Sequence, residues 1–287
     1  MDKTIDIRDR AHLSGSEVQK LNFVNDSGRY IFRKYYRSGL RSHIFEILKA
    51  EDVLKETCGQ IMDGIKIFPR ARPKKIFRIL RNRFKNTETV FLEIKKYHLL
   101  LKFLGPAFIA ESDEFIVDYT ETGTSQIILC GLQEYIEGEI LDPWRLFGEG
   151  YLQDLFRPYI RGDSQLQALI HKAQKNIARF VKRVRQMITD TGYIPDLAGV
   201  GNLILTLDGA LKLVDINNIV KIKLDDSILI DDKGYPSCDV SIEVLSILEQ
   251  NILQKKIHTD DSFYRFFLSP KRKKKVRALE KKFYENL

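Results

Sequence analysis

Asp196, Asn202 and Asp215 are hard oxygen donors gathered in one short stretch, 193–217. Carboxylate and amide oxygens suit Mg²⁺, whose shell is completed by the phosphates of a nucleotide. A carboxylate left over can orient a hydroxyl nucleophile, which makes phosphoryl transfer the chemistry this set supports. The segment itself predicts a hairpin. Residues 202–206 are apolar and β-prone, Asp208-Gly209 is a turn signal, and 211–216 form a returning strand. An ordinary hairpin with surface acids has the same local pattern.

The order Asp, Asn, hairpin, Asp resembles the catalytic loop and metal-binding segment of the protein-kinase-like fold. The resemblance implies that Asp196 is the catalytic base and that Asn202 and Asp215 hold the metal. Two departures stand out. Five residues, 197–201, separate Asp196 from Asn202 where the family has four, and Gly199 and Gly201 can absorb the extra one. Ile216-Asn217 stands where protein kinases have Phe-Gly.

A helix must deliver this loop. Residues 164–189 carry a helical apolar stripe that stops at Thr191-Gly192, just before Tyr193-Ile-Pro-Asp196. Upstream, 12–37 read as three short strands, with Ser14, Gly15 and Ser16 in the first turn. Their backbone N–H groups face nucleotide phosphates if the resemblance holds, and form a plain β-turn otherwise. The resemblance asks the third strand for a phosphate-gripping cation. Arg33 and Lys34 point to opposite faces of a strand, so one of them serves. The stretch 30–40 resembles the Kdo kinase and lipopolysaccharide-kinase branch, which places Arg33 at the nucleotide.

Residues 41–88 read as mostly helical and basic, broken at 69–73. Within 69–85 the cations interleave with Ile76, Phe77, Ile79, Leu80 and Phe84, a basic amphipathic stretch that suits an anionic membrane surface or packs on its own lobe. Residues 87–104 predict a longer helix. The resemblance implies that its Glu93, or else Glu88, fixes the strand-three cation. Strands over 114–119 and 126–135 follow. The second enters a hinge at Glu134 to Ile136, where backbone groups of the family meet the adenine edge. Asp239 precedes an apolar helix, 241–253, as its N-cap or as an anchor for the catalytic-loop backbone. The tail from 269 predicts a basic helix.

Composition sets the outer limits. The chain has 287 residues, 44% hydrophobic and 30% charged, with a net charge of +8 that favours anionic partners. No apolar run approaches the roughly 20 residues of a membrane span, and the first ten residues lack a signal-peptide core. Three separated cysteines form no disulfide framework, and five scattered histidines no zinc site. A cytoplasmic setting, peripheral at the inner face of a membrane, fits these features.

The expectation is therefore an α+β, two-lobed protein-kinase-like fold. Residues 1–136 form a small β-rich lobe with one main helix and the basic insertion. Residues 137–287 form a larger helical lobe with the catalytic hairpin. The implied activity is ATP- and Mg²⁺-dependent transfer to a hydroxyl acceptor, a small molecule or a sugar of a glycolipid or polysaccharide such as lipopolysaccharide. A catalytically inactive kinase-like scaffold is the alternative. Nucleic acid is the weaker third idea, because the basic runs carry no reading motif. The oligomeric state is not legible.

Overall fold

The computed structural model describes residues 6–25, 28–35, 39, 41–121, 124–146, 150–257 and 261–286. The chain is α+β and divides into two compact units. The first comprises residues 1–94 and 111–135, and the second 95–110 and 136–287.

The first unit is built on a five-stranded antiparallel sheet. Its elements in chain order are α1 (Gly15–Val18), β1 (Tyr30–Lys34), β2 (Ser42–Lys49), α2 (Ala50–Cys58), β3 (Gln60–Met62), β4 (Ile65–Ile67), β5 (Lys75–Leu80), the first part of α3 (Thr87–Leu104, whose residues from 95 on belong to the second unit), β6 (Ser112–Glu121) and β7 (Thr124–Glu134). The sheet order is β1-β2-β5-β7-β6, while β3 and β4 form a separate hairpin. Helix α3 coincides with the expected 87–104, and β6 and β7 with the two strands expected after it. The turn between them includes 122–123, outside the described residues, as are 26–27 of the expected 25–28 turn and 36–38 and 40 of the 30–40 stretch.

Two expectations about this unit are corrected. The strands of the main sheet before α3 are β1, β2 and β5, with the separate β3–β4 hairpin between β2 and β5, rather than three strands within 12–37. The 17–24 segment fails as a strand because Ser14 starts a helix there. Its side chain accepts the Glu17 N–H at 3.3 Å and the Glu17 carboxylate accepts the Ser14 N–H at 2.7 Å, a reciprocal cap. The basic segment 41–88 is likewise mainly β. Its β-branched and aromatic residues, Ile44, Phe45 and Ile47 in β2 and Ile76, Phe77 and Ile79 in β5, prefer a pleated surface over a helix. Phe77 and Ile79 enter the core with Phe45, Val117 and Ile128, and Leu80 packs with Val90 of α3. The apolar side chains of the expected membrane-facing stretch are thus this unit's interior.

Strand alternation puts Arg78 on the same sheet face as Leu80. Arg78 and Glu114 are both buried and form an ion pair across Gly131, the residue opposite each of them in the sheet. The glycine makes the approach feasible: a Cβ there would lie 2.7 Å from both the Arg78 Nη2 and the Glu114 Oε1. Ser112 Oγ accepts a second bond from Arg78 at 3.0 Å, while Arg78 Nε and Glu114 Oε2 stay buried without partners.

The second unit holds β8 (Glu139–Ile140), α4 (Tyr151–Phe156), α5 (Asp163–Thr191), β9 (Tyr193–Pro195), β10 (Leu203–Leu205), β11 (Leu211–Leu213), β12 (Ile219–Lys221), α6 (Ser237–Ile247), a π-helical turn (Leu248–Ile252), α7 (Ser262–Phe267) and α8 (Pro270–Glu285). Helix α5 buries Leu166, Ala173, Ile177, Phe180, Val181, Val184 and Met187, an i/i+3/i+4 stripe. Against it lie the inward residues of the hairpin, Leu203, Leu205, Leu211 and Leu213, and of α6. Each such fully buried side chain stabilises by roughly 1.5–3 kcal/mol. The expected helix 241–253 starts earlier and finishes as the π-helical turn. No described helix is long and apolar enough to cross a membrane.

Truncating Glu114 leaves a buried guanidinium without its carboxylate. We expect Glu114→Ala to lower unfolding free energy by about 3–5 kcal/mol in chemical denaturation. The double change Arg78→Met/Glu114→Leu should cost much less.

Candidate functional site

Gly192, in the left-handed conformation (φ 70°), ends α5, and its N–H donates to Ile188 O. The chain then pairs β9 with β12 and reaches Asp196 at the end of that ribbon. Asp196 is buried, 6% exposed, and its N–H donates to Asn218 O at 2.8 Å. Its Oδ1 accepts the Ala198 N–H at 2.9 Å and its Oδ2 accepts Asn218 Nδ2 at 2.7 Å. Ser241 of α6 accepts the Leu197 N–H on its Oγ at 2.9 Å, and Trp144 Nε1 donates to Ala198 O at 3.2 Å. Asn218 also donates to Ser237, whose hydroxyl donates to Asp231. The carboxylate is thereby fixed in one orientation from its own loop, from the β11–β12 connection and from α6.

The extra loop residue is accommodated at Gly201, whose φ is 93°. Gly199 lies against the Asn202 side chain: a Cβ would stand 2.6 Å from Asn202 Oδ1. Asn202 Nδ2 donates to the Asp196 carbonyl at 3.1 Å, which orients the amide so that Oδ1 is its acceptor end. The hairpin brings Asp215 alongside. β10 pairs with β11 in the register Leu203↔Leu213, and the Val214 N–H donates to Asn202 O at 2.8 Å. Asp215 Oδ1 accepts only a long bond, 3.4 Å, from the Asn217 N–H. An amide oxygen and a carboxylate are both donor types suited to a hard divalent cation. No cluster of three His, Cys, Asp or Glu side chains suited to a metal occurs among the described residues, so two protein ligands leave most of a cation's shell to water or substrate.

The turn closing this hairpin is Asp208-Gly209, with Gly209 at φ 83°. Thr206 donates to the Asp208 carboxylate and Lys172 of α5 does so at 3.2 Å, which together hold its carboxyl below the ordinary value of 3.8.

Asp239 takes neither expected role. Pro236 occupies the N-cap of α6, and Asp239 lies inside the first turn, where Arg272 of α8 binds it with both Nε and Nη2. Burial pushes its carboxyl above the ordinary value against the pull of that guanidinium. Ser241, two residues further on, anchors the loop backbone instead.

The first unit rearranges the expected phosphate-binding residues. Ser14, Gly15 and Ser16 open α1, with the Ser14 N–H already satisfied by Glu17. Gly15 packs so closely on β1 that a Cβ would stand 1.6 Å from Phe32 O. Arg33 lies on the first strand of the sheet. Its Nε donates to Glu46 at 2.7 Å and its Nη1 to Glu56 at 2.8 Å, so Glu46 and Glu56, rather than Glu93, fix it. Lys34 meets His12 Nδ1 at 2.9 Å. The third strand of the sheet is β5, and its buried cation is Arg78. The Glu134 N–H donates to Glu111 O at 2.8 Å, and Ile136 is buried in the second unit.

No family model matches the chain, and no curated protein matches it. Solved structures do match. One is described as "ROP18 kinase domain in complex with AMP-PNP and sucrose". It is 11% identical, covers 90% of this chain and 79% of its own, and has a TM-score of 0.38. A likeness of that size carries no weight on activity or ligand.

Asn218, Ser241 and Trp144 were not singled out from the sequence. The doubled Asn217-Asn218 after Asp215 was the available signal for the first. Nothing in the sequence marks Ser241, whose place depends on how α6 packs.

Ser241→Ala should leave the buried Leu197 N–H without an acceptor and cost about 1–3 kcal/mol in urea denaturation. Acid should loosen the hairpin. A depressed carboxyl stabilises above its unfolded value and loses that contribution as pH falls through the folded value. Amide exchange at Leu205 and Val214, corrected for intrinsic rates, should therefore be faster at about pH 3 than at about pH 5, and Asp208→Asn should abolish the difference.

Proposed function

We propose that this chain is an ATP-dependent phosphotransferase of the protein-kinase-like type, with a hydroxyl acceptor. The single observation that supports the reading is the paired hairpin, which carries Asn202 at the entrance to its first strand and Asp215 just past the end of its second, while Asp196 precedes both and is held by hydrogen bonds.

In this reading Asp196 positions and accepts the proton of the acceptor hydroxyl. Its Oδ1 takes the Ala198 N–H and faces the Ser241 hydroxyl at 3.5 Å, and its Oδ2 takes the Asn218 amide. Asn202 and Asp215 hold Mg²⁺, which when bound neutralises phosphate charge. Asn218 and the Ala198 N–H keep Asp196 aligned, so that little reorganisation accompanies transfer. The acceptor we favour is a sugar hydroxyl on a glycolipid or polysaccharide such as lipopolysaccharide, on the strength of the 30–40 resemblance. A cytoplasmic chain at the inner membrane face goes with that acceptor.

A nucleotide-binding scaffold is the second reading. It is favoured by the burial of Asp196 and by donors on both of its oxygens.

Purified protein with Mg²⁺ and radiolabelled ATP should release or transfer label. Asp196→Asn and Asp215→Asn should each reduce turnover by about 100-fold or more. ATP binding that persists in Asp196→Asn, with no turnover by wild type across sugar and glycolipid pools, would establish the scaffold.

A further inference from the structure

Helix α5 carries six Lys or Arg residues between 164 and 189 and no acid. A solvated helix face ordinarily mixes signs, because like charges three or four residues apart repel. Three of the six are accounted for locally. Lys172 pairs with Asp208, Arg183 donates to the carbonyls of Phe103 and Leu104, and Arg185 binds Glu249 and Asp261. The other three, Lys175, Arg179 and Lys182, are exposed; Arg179 lies over the Phe108 ring at 5.6 Å, and none of the three forms an ion pair with a carboxylate among the described residues. Their spacing, i, i+4 and i+7, puts them in one row about 10 Å long.

That row borders a groove of about 550 Å³, which Arg185, Glu249 and Lys255 also line. The π-helical turn sets the far wall by directing Glu249 inward. Its carboxylate accepts the Tyr264 hydroxyl at 2.5 Å and Arg185 Nη1 at 3.2 Å, and lies 3.8 Å from Lys255 Nζ. Both acids facing this region, Glu249 and Asp261, are thus engaged by Arg185, and five cations surround the open volume.

We propose that this groove is a binding site for a small polyphosphorylated molecule, separate from the Asp196–Asp215 site. Its volume is that of a small-molecule pocket, and a row of cations matches successive phosphates better than a single carboxylate. No aromatic ring lines it, so a nucleic-acid base would find no stacking platform.

The test is calorimetric titration of the full chain with inorganic tripolyphosphate at low ionic strength, in EDTA so that no metal-dependent site contributes. Wild type should bind. Lys175→Gln/Arg179→Gln/Lys182→Gln should bind about tenfold more weakly or worse. Removing the same charge from α8, as Lys271→Gln/Lys274→Gln/Lys275→Gln, should change affinity little. Absence of binding by wild type, equal affinity in the α5 variant, or equal loss in the α8 variant would overturn the proposal. So would tighter binding of a single-stranded oligonucleotide that the α5 variant loses, since the surface would then be one for nucleic acid.

Discussion

A carboxylate shut away from water must have its charge and its neighbouring backbone groups matched by hydrogen bonds, or the loop that carries it is expelled. Asp196 meets that condition through partners from three directions: the Ala198 N–H within its own loop, Asn218 beyond the hairpin, and Ser241 beneath Leu197. Most of the second unit's architecture around the site follows from it. Helix α6 must lie close enough for Ser241 to reach the loop, and the β9–β12 ribbon must pair so that Asn218 stands opposite Asp196. The apolar floor of α5 and the hairpin supplies the burial that makes these bonds strong.

The pair proposed to hold metal, Asn202 and Asp215, depends on a different constraint. Backbone pairing alone joins Asn202 to the strand leading to Asp215, and register in a hairpin is set by its turn. Asp208-Gly209 therefore bears on the chemistry from the far end. A slip of one residue would send Asp215 to the opposite face and leave Asn202 without its neighbour. The Asn202–Asp196 bond then makes the two halves of the site report on one another, because a displaced amide loses its hold on the loop carbonyl.

Long periodic elements were legible in the sequence, and short ones that depend on context were not. The apolar stripes of α5 and α3 fixed those helices nearly to the residue, and Asp-Gly with flanking alternation fixed the hairpin. The β2–β5 region reads as helical because basic residues interleave with apolar ones as in an amphipathic helix. The aromatic and β-branched residues between those cations decided for strand, and Arg78 turned inward to meet Glu114 across Gly131. Ser14-Gly-Ser16 looked like a turn between strands until Glu17 closed a capping box on it. Arg33 was correctly placed on a strand, but its partners came from β2 and α2, tertiary neighbours that no spacing rule names. Within the site, Asp196, Asn202 and Asp215 announce themselves by type and order. The residues that hold them, Asn218 and Ser241, are ordinary polar residues whose role exists only after folding.

The central claim is that Asn202 and Asp215 together hold a divalent cation at a nucleotide phosphate. Water-proton relaxation with Mn²⁺ in place of Mg²⁺ reads that directly and needs no acceptor. Titrating Mn²⁺–ATP into wild type should give a saturable enhancement. Asn202→Ala and Asp215→Asn should each remove it, while Asp196→Asn should retain it. No enhancement with wild type, or the same enhancement in all four proteins, would contradict the account.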